Sequence, residues 1–400
     1  MIFTIILKIL KVIRKIIEFH NMKNIVEITY YIYFMDFFTK INIPAADWQI
    51  DYNSRLAFFG SCFADNISAQ FASRKFNILA NPFGTVYNPL SAAMQIKAIA
   101  NGKIFGEADV FQDTRLGVSE NGNEIRGPWH CWNAHGSLSA ATREECIAKL
   151  NETTANAREF LQKADTVFIT LGTAFVYFLR GNGIAVSNCH KQNPNLFIRK
   201  MISVDHAAEA LKSIVHDLLK MKNDWIASSS VRNDETGKDR KLHIVFTVSP
   251  LRHLSDGAHE NTLSKATLQL AINKVIQEIA SPGSHAPLGV SVARNDVGAE
   301  TISYFPSYEI VMDELRDYRF YDDDMIHLSK TAEGYIFERM VETYCSEKTR
   351  EDIRKVEKFM KMANHRIQDA DSPATAVFLQ KLHTEAQKLE SQIAGLELNV

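Results

Sequence analysis

The sequence predicts an α/β protein built on a mostly parallel sheet with helices on both faces. Three observations carry this expectation. Short apolar runs with the length of buried strands recur at residues 56–59, 166–171, 242–248 and 302–305. Segments with helical spacing separate them. With 46% hydrophobic residues in a chain of 400, the composition supports a sizeable core. Strands alternating with helices in this way read as a parallel sheet with both faces covered.

The first strand is the apolar run 56–59, which Gly60 ends. Asp65-Asn66 can cap a helix, and Ile67, Phe71 and Phe76 give a rough helical stripe, so a helix is expected over 65–76. Ser61 and Cys62 then fall on a tight strand-to-helix turn at the carboxyl edge of the sheet, where open α/β sheets bind ligands. A helix start presents unpaired N–H groups and partial positive charge. Both are expected to favour a Cys62 thiolate, or an oxyanion beside it. The plain alternative is a buried small-residue corner.

Asn81-Pro82-Phe83-Gly84-Thr85-Val86-Tyr87-Asn88-Pro89 reads as a structured loop, with a helix over 90–101 after it. Residues 103–140 show little periodicity and read as an excursion forming a lid or wall. It carries Trp129, His130, Cys131, Trp132 and His135. These suggest zinc, but the second arm is the adjacent pair Cys189-His190, whose neighbours ligate poorly together, so no metal is expected. A helix over 142–163 precedes the strand 166–171, which Gly172-Thr173 ends.

The Gly/Asn/Pro-rich stretch 181–195, with Asn188-Cys189-His190-Lys191, reads as a loop before a helix over 204–221. A polar loop is expected over 227–240. The strand 242–248 runs into Ser249-Pro250-Leu251-Arg252-His253. Then come a helix over 260–280, room for a strand at 288–293, a strand from 302 and a helix over 307–316. The segment Tyr318 to Ser329 leads to a helix over 330–345. Two charged amphipathic helices, 347–367 and 374–394, read as an antiparallel hairpin suited to packing or self-association.

The net charge of −2 and the lack of a long basic run after residue 40 give no electrostatic reason to expect nucleic acid. Five scattered cysteines do not resemble a disulfide framework and fit a reducing cytoplasm. Residues 1–18 alternate isoleucines with Lys8, Lys11, Arg14 and Lys15, too often charged to span a bilayer. They also lack the ordered regions of a signal peptide. The favoured reading is a non-native extension with Met35 as the true start. A basic amphipathic surface helix ranks second and an export signal third. The expected organisation is therefore an extension over 1–34, one domain over 36–345, and the helical hairpin over 347–394.

Gly60-Ser61-Cys62-Phe63-Ala64 resembles the signature of the GSCFA domain family. The loop from Asn81 to Pro89, Asn188-Cys189-His190-Lys191, Ser249-Pro250-Leu251-Arg252-His253 and Tyr318-Arg319-Phe320-Tyr321 are similar to that family too. The family in turn resembles the SGNH, or GDSL-type, hydrolases and acyltransferases. That resemblance implies a three-layer α/β/α, flavodoxin-like sheet. It also implies a nucleophile in the Gly-Ser-Cys turn, and an acid and base in Asp324-Met325-Ile326-His327.

Aligned without a gap, Ser61 falls on the superfamily aspartate and Cys62 on its serine. Cys62 is then the nucleophile, Ser61 the alternative, His327 the base and Asp324 its orienting acid. Gly172-Thr173-Ala174-Phe175 lacks the superfamily's asparagine, so an oxyanion donor is expected from Gly84 N–H or Asn188, beside Cys62 N–H. Asn88, Gly172, Thr173, His190, Arg252 and His253 are the further substrate-binding candidates. The plain alternative for the two histidines and Arg252 is a hydrogen-bonded structural side chain.

The implied function is hydrolysis or transfer of an acyl ester, on an acylated carbohydrate or other small acyl substrate, with no cofactor. The rival is an inactive binding module of the same fold for a glycan or envelope component. Thiol redox chemistry ranks last without a Cys-x-x-Cys. A cytoplasmic protein is expected, self-associating through its last helices, and meeting a membrane only if the first helix is native.

Overall fold

A computed structural model describes residues 39–113, 126–228, 241–280, 301–365 and 372–398, with positions 6, 9–11 and 13. The chain divides into two units, 1–41 and 42–400, and the second carries the fold. The expectations for residues 1–34 and for Met35 lie almost wholly outside the described residues, as does the strand at 288–293.

In chain order the elements are β1 (Arg55–Gly60), α1 (Cys62–Ser73), β2 (Asn77–Ala80), α2 (Pro89–Ala100), β3 (Phe111–Gln112), β4 (Trp129–His130), α3 (Arg143–Gln162), β5 (Thr166–Leu171), β6 (Phe175–Leu179), β7 (Ala185–Val186), β8 (Phe197–Met201), α4 (Val204–Ser228), β9 (His243–Val248), α5 (Ala258–Ala280), β10 (Thr301–Tyr304), α6 (Lys330–Tyr344), α7 (Glu347–Ala363) and α8 (Pro373–Gln392), with short helical turns between some of them.

The main sheet has five strands in the order β10-β9-β5-β1-β2, and every pair in it is parallel. Taken by appearance this is the doubly wound order 2-1-3-4-5, whose direction reverses between β1 and β5. Alternate residues of each strand serve opposite layers. Ala57 and Phe59 of β1, Val167 and Ile169 of β5, and Ile244 and Phe246 of β9 join one core with Ile96 of α2, Leu150 of α3, Leu211 of α4 and Leu268 of α5. On the other face Phe58 stacks on Phe168 at 4.9 Å, and Phe71 of α1 meets Phe337 of α6 edge-on at 4.9 Å. The result is three layers, α/β/α. Each such buried apolar side chain stabilises the fold by about 1.5–3 kcal/mol.

Several local expectations are corrected. Helix α1 starts at Cys62, not at Asp65, because Phe63 extends the buried stripe of Ile67 and Phe71 backward. Its N-cap is Ser61, in extended conformation. Strand β2 is hidden in the sequence by its shortness, with two apolar residues between Asn77 and Ala80, and β6, β7 and β8 form a small antiparallel sheet where only a loop is expected around 181–195. Helix α4 continues to Ser228. Instead of a regular helix over 307–316, a short turn Ser307–Glu309 passes into a π turn, Ile310–Glu314. Apart from these corrections, helices α7 and α8 fall in the same unit as the sheet, and Arg74, just after α1, pairs with Glu357 of α7 at 2.6 Å.

Candidate functional site

The site begins at the turn between β1 and α1. Gly60 has φ of +135°, and a Cβ there would run into the Thr170 carbonyl oxygen of β5. Only glycine lets these strand ends approach so closely. The turn is fixed to the loop before α2. Gly60 N–H donates to Asn81 Oδ1 at 2.8 Å, and Asn81 Nδ2 donates to Asp65 Oδ1 at 2.7 Å. Thr85 Oγ1 donates to Asp65 Oδ2 at 2.9 Å, and Val86 N–H to Gly60 O at 2.9 Å. Ser61 is 1% exposed, its N–H donates to Thr170 O, and its hydroxyl finds no protein partner. Cys62 is half-buried and lines a cavity.

The second part is the segment before α6. Its ends pair at Tyr321–Leu328, Asp322 N–H donates to His327 O at 2.8 Å, and Ser329 N–H donates to Phe320 O at 2.9 Å. Within this closed loop Asp324 Oδ1 accepts the N–H groups of Ile326 and His327 at 2.9 and 2.8 Å. Its Oδ2 lies 2.6 Å from His327 Nδ1. The histidine side chain, with these two N–H groups, holds the Asp324 carboxyl down at about 2. With Nδ1 occupied, Nε2 is the ring nitrogen left for chemistry.

Cys62 and His327 line the same cavity of about 780 Å³. Its other walls come from Tyr87 and Asn88 before α2, Thr173 after β5, Asn188 and Cys189 between β7 and β8, and Arg252 and His253 after β9. These segments follow the carboxyl ends of the parallel strands, and the cavity sits where the winding reverses. The Cys62 thiol is pushed up from its ordinary value, by burial first and then by the Asp65 carboxylate. The N–H groups of Phe63 and Cys62 and the Lys265 ammonium pull the other way and do not win. The helix start expected to favour a Cys62 thiolate is thus outweighed by burial and by Asp65.

Lys265 of α5 is absent from the candidates read in the sequence. It is 1% exposed, and its Nζ donates to Gly172 O and Ser249 O at 2.6 Å each, joining the ends of β5 and β9. Burial, then Arg252, brings it down to about 7. One signal exists: Asn261, Ser264 and Lys265 continue the buried stripe of Leu268, Ile272 and Val275 with polar residues. His253 is pushed down to about 4 by burial and by Lys265, and packs edge-on against Tyr87 at 5.5 Å. Its Nε2, without a protein partner, lies 3.0 Å from where a Cβ on Gly172 would stand, so glycine admits the ring.

The remaining candidates separate. Gly84 N–H donates to Asn81 O at 2.7 Å and the residue does not line the cavity, so it is not an oxyanion donor. The N–H groups of Gly172 and Thr173 both donate to Tyr87 O. Asn88 caps α2 through Ser91 N–H at 2.9 Å while lining the cavity. Asn188 also lines it, and its Oδ1 accepts His190 N–H at 2.7 Å. His190 lies behind this wall, with Nε2 2.8 Å from Cys131 O and its ring stacked on His130 at 4.3 Å. Burial pushes it down to about 4. Among the described residues no group of three His, Cys, Asp or Glu side chains could hold a metal ion.

An all-parallel doubly wound sheet, with a cysteine and an Asp–His pair on one cavity at its switch point, defines an α/β protein with its site at the sheet's carboxyl edge. The chain belongs to the GSCFA family, whose model matches residues 55–340, from the first residue of β1 into α6. Comparison with curated proteins and with solved structures found no significant match. Among the described residues no helix is long and apolar enough to cross a membrane.

Proposed function

We propose that this protein is an acyl-ester hydrolase or acyltransferase of the SGNH type, with Cys62 as nucleophile, His327 as base and Asp324 as its orienting acid. The observation that carries the reading is that Cys62 and the Asp324-held His327 line one cavity. His327 Nε2 takes the Cys62 proton as Sγ attacks the acyl carbonyl carbon. The tetrahedral oxyanion is met by the N–H groups at the start of α1, each worth roughly 3 kcal/mol. Collapse breaks the ester C–O bond, and His327 returns the proton to the departing alcohol. Water or an acceptor alcohol, deprotonated by His327, then releases the acyl group and restores the thiol.

Acylated carbohydrates are the proposed substrates and the cytoplasm the proposed location. The test is turnover of nitrophenyl acetate, with mass spectrometry of the Cys62 peptide for a trapped acetyl thioester. Absence of both in the folded wild-type protein overturns the reading. A second reading, a binding module without chemistry, is favoured by the raised Cys62 thiol and by the occupied N–H groups of Gly84, Gly172 and Thr173. It calls for acylated-glycan binding that Cys62→Ala leaves intact.

A further inference from the structure

We propose that the cavity carries an anion subsite at Arg252, so that its ligand is an acyl substrate bearing a carboxylate or phosphate group. Two arginines line the cavity, and they differ. Arg199 is committed: both ends of its guanidinium meet Asp256, with Nη2 2.7 Å from Oδ2, and it lies over the rings of Phe175 and Tyr177. Among the described residues Arg252 has no carboxylate within ion-pair distance, and its buried Nε finds no protein acceptor. A guanidinium kept at a cavity wall without a counter-charge is matched in shape and charge by a planar or tetrahedral oxyanion.

The surroundings agree. The buried Lys265 is close enough to act electrostatically on both Arg252 and Cys62. Asp256, which also lies after β9, is neutralised by Arg199. Two further buried polar atoms of the cavity residues, Gln192 Nε2 and Ser187 Oγ, lack protein partners and can donate to the same ligand. A neutral ester alone would leave this donor-rich wall unmatched.

The substrate part of the proposal rests on the acyl-transfer reading, whereas the anion subsite does not, and the test separates them. The rate of Cys62 alkylation by iodoacetamide is measured on the full chain by peptide mass spectrometry, so that Cys189 is scored apart. Sodium phosphate, glutarate or the neutral glutaramide is added at constant ionic strength set with chloride. Phosphate or glutarate should slow Cys62 alkylation at least threefold at saturation, and glutaramide should not. Arg252→Gln should raise the half-protecting concentration at least tenfold. Arg252→Lys, which keeps charge but loses the planar fork, should fall between and serves if the glutamine variant does not fold. The more effective anion assigns carboxylate or phosphate. No protection by either anion, or equal protection in the Arg252 variants, overturns the subsite. Protection without any ester turnover keeps the subsite and rejects the acyl-transfer reading.

Discussion

Asn81 Oδ1 accepts the Gly60 N–H at 2.8 Å, and this buried bond helps to hold the Gly60–Cys62 turn against the loop that walls the cavity. The same carboxamide donates to Asp65, so its loss strands a buried donor and leaves Asp65 with Thr85 as its remaining side-chain donor. Asn81→Ala should cost about 1–3 kcal/mol. A thermal melt reads this as a drop of some degrees, at roughly 2–4 °C per kcal/mol for a domain of this size. An unchanged melting temperature would show the bond to be dispensable.

Gly60→Ala should be worse. The φ of +135° disfavours any side chain, and the Thr170 carbonyl occupies the space a Cβ needs. Strain and displacement of β5 together should cost about 2–4 kcal/mol. Urea unfolding measures it, and a wild-type midpoint in the variant would refute the close approach of β1 to β5.

Cys62 and Ser61 are separable by substitution. Cys62→Ala should lower turnover of nitrophenyl acetate by about 10³-fold or more. Ser61→Ala should keep activity and stabilise by up to about 1 kcal/mol, since its buried hydroxyl has no protein partner. A dead Ser61→Ala with an active Cys62→Ala would move the nucleophile by one residue. Because burial raises the Cys62 thiol, its alkylation rate should still be climbing with pH where that of an ordinary thiol has levelled off.

Asp324→Asn should leave the fold intact, as both members of the pair are about half exposed. It should lower kcat by about 10²–10⁴-fold by freeing the imidazole from its set tautomer. The double variant Cys62→Ala, His327→Ala should be scarcely less active than either single one, because residues acting as a unit are non-additive. Multiplying losses would mean that they act separately.

Acid should destabilise the protein well above the carboxylate range. His190 and His253 titrate at about 4 when folded against 6.5 ordinarily, so the unfolded chain binds more protons between those values. Their contribution is complete above about pH 6.5 and is lost as pH falls toward 4, by up to about 1.4 kcal/mol per unit for each histidine. Urea midpoints measured across this window should fall, and His190→Gln should flatten the slope. A flat profile in the wild type would place these rings in water.

The sheet is legible in the sequence because β1, β5 and β9 are continuous apolar runs ended by glycine or proline-bearing turns. The turn at Cys62 and the Asp324–His327 pair are legible as local patterns. Their meeting is not, because it depends on the winding of strands far apart in sequence. Strands β6 and β8 escape notice because half their residues face outward and their pairing is antiparallel, against the pattern around them. Lys265 escapes because a lysine in a helix reads as surface. The oxyanion role expected of Gly84 fails because its N–H is needed to close its own turn with Asn81.

The loop that carries Asp324 and His327 is stapled at its own base, so the two side chains form a prefabricated cartridge that owes its internal alignment to no strand of the sheet. Movement of that loop carries the pair as one piece. The low-field proton resonance of a histidine Nδ1–H bound to a carboxylate should therefore persist in Cys62→Ala and vanish in Asp324→Asn, making the cartridge visible by proton NMR whatever side chain stands at position 62.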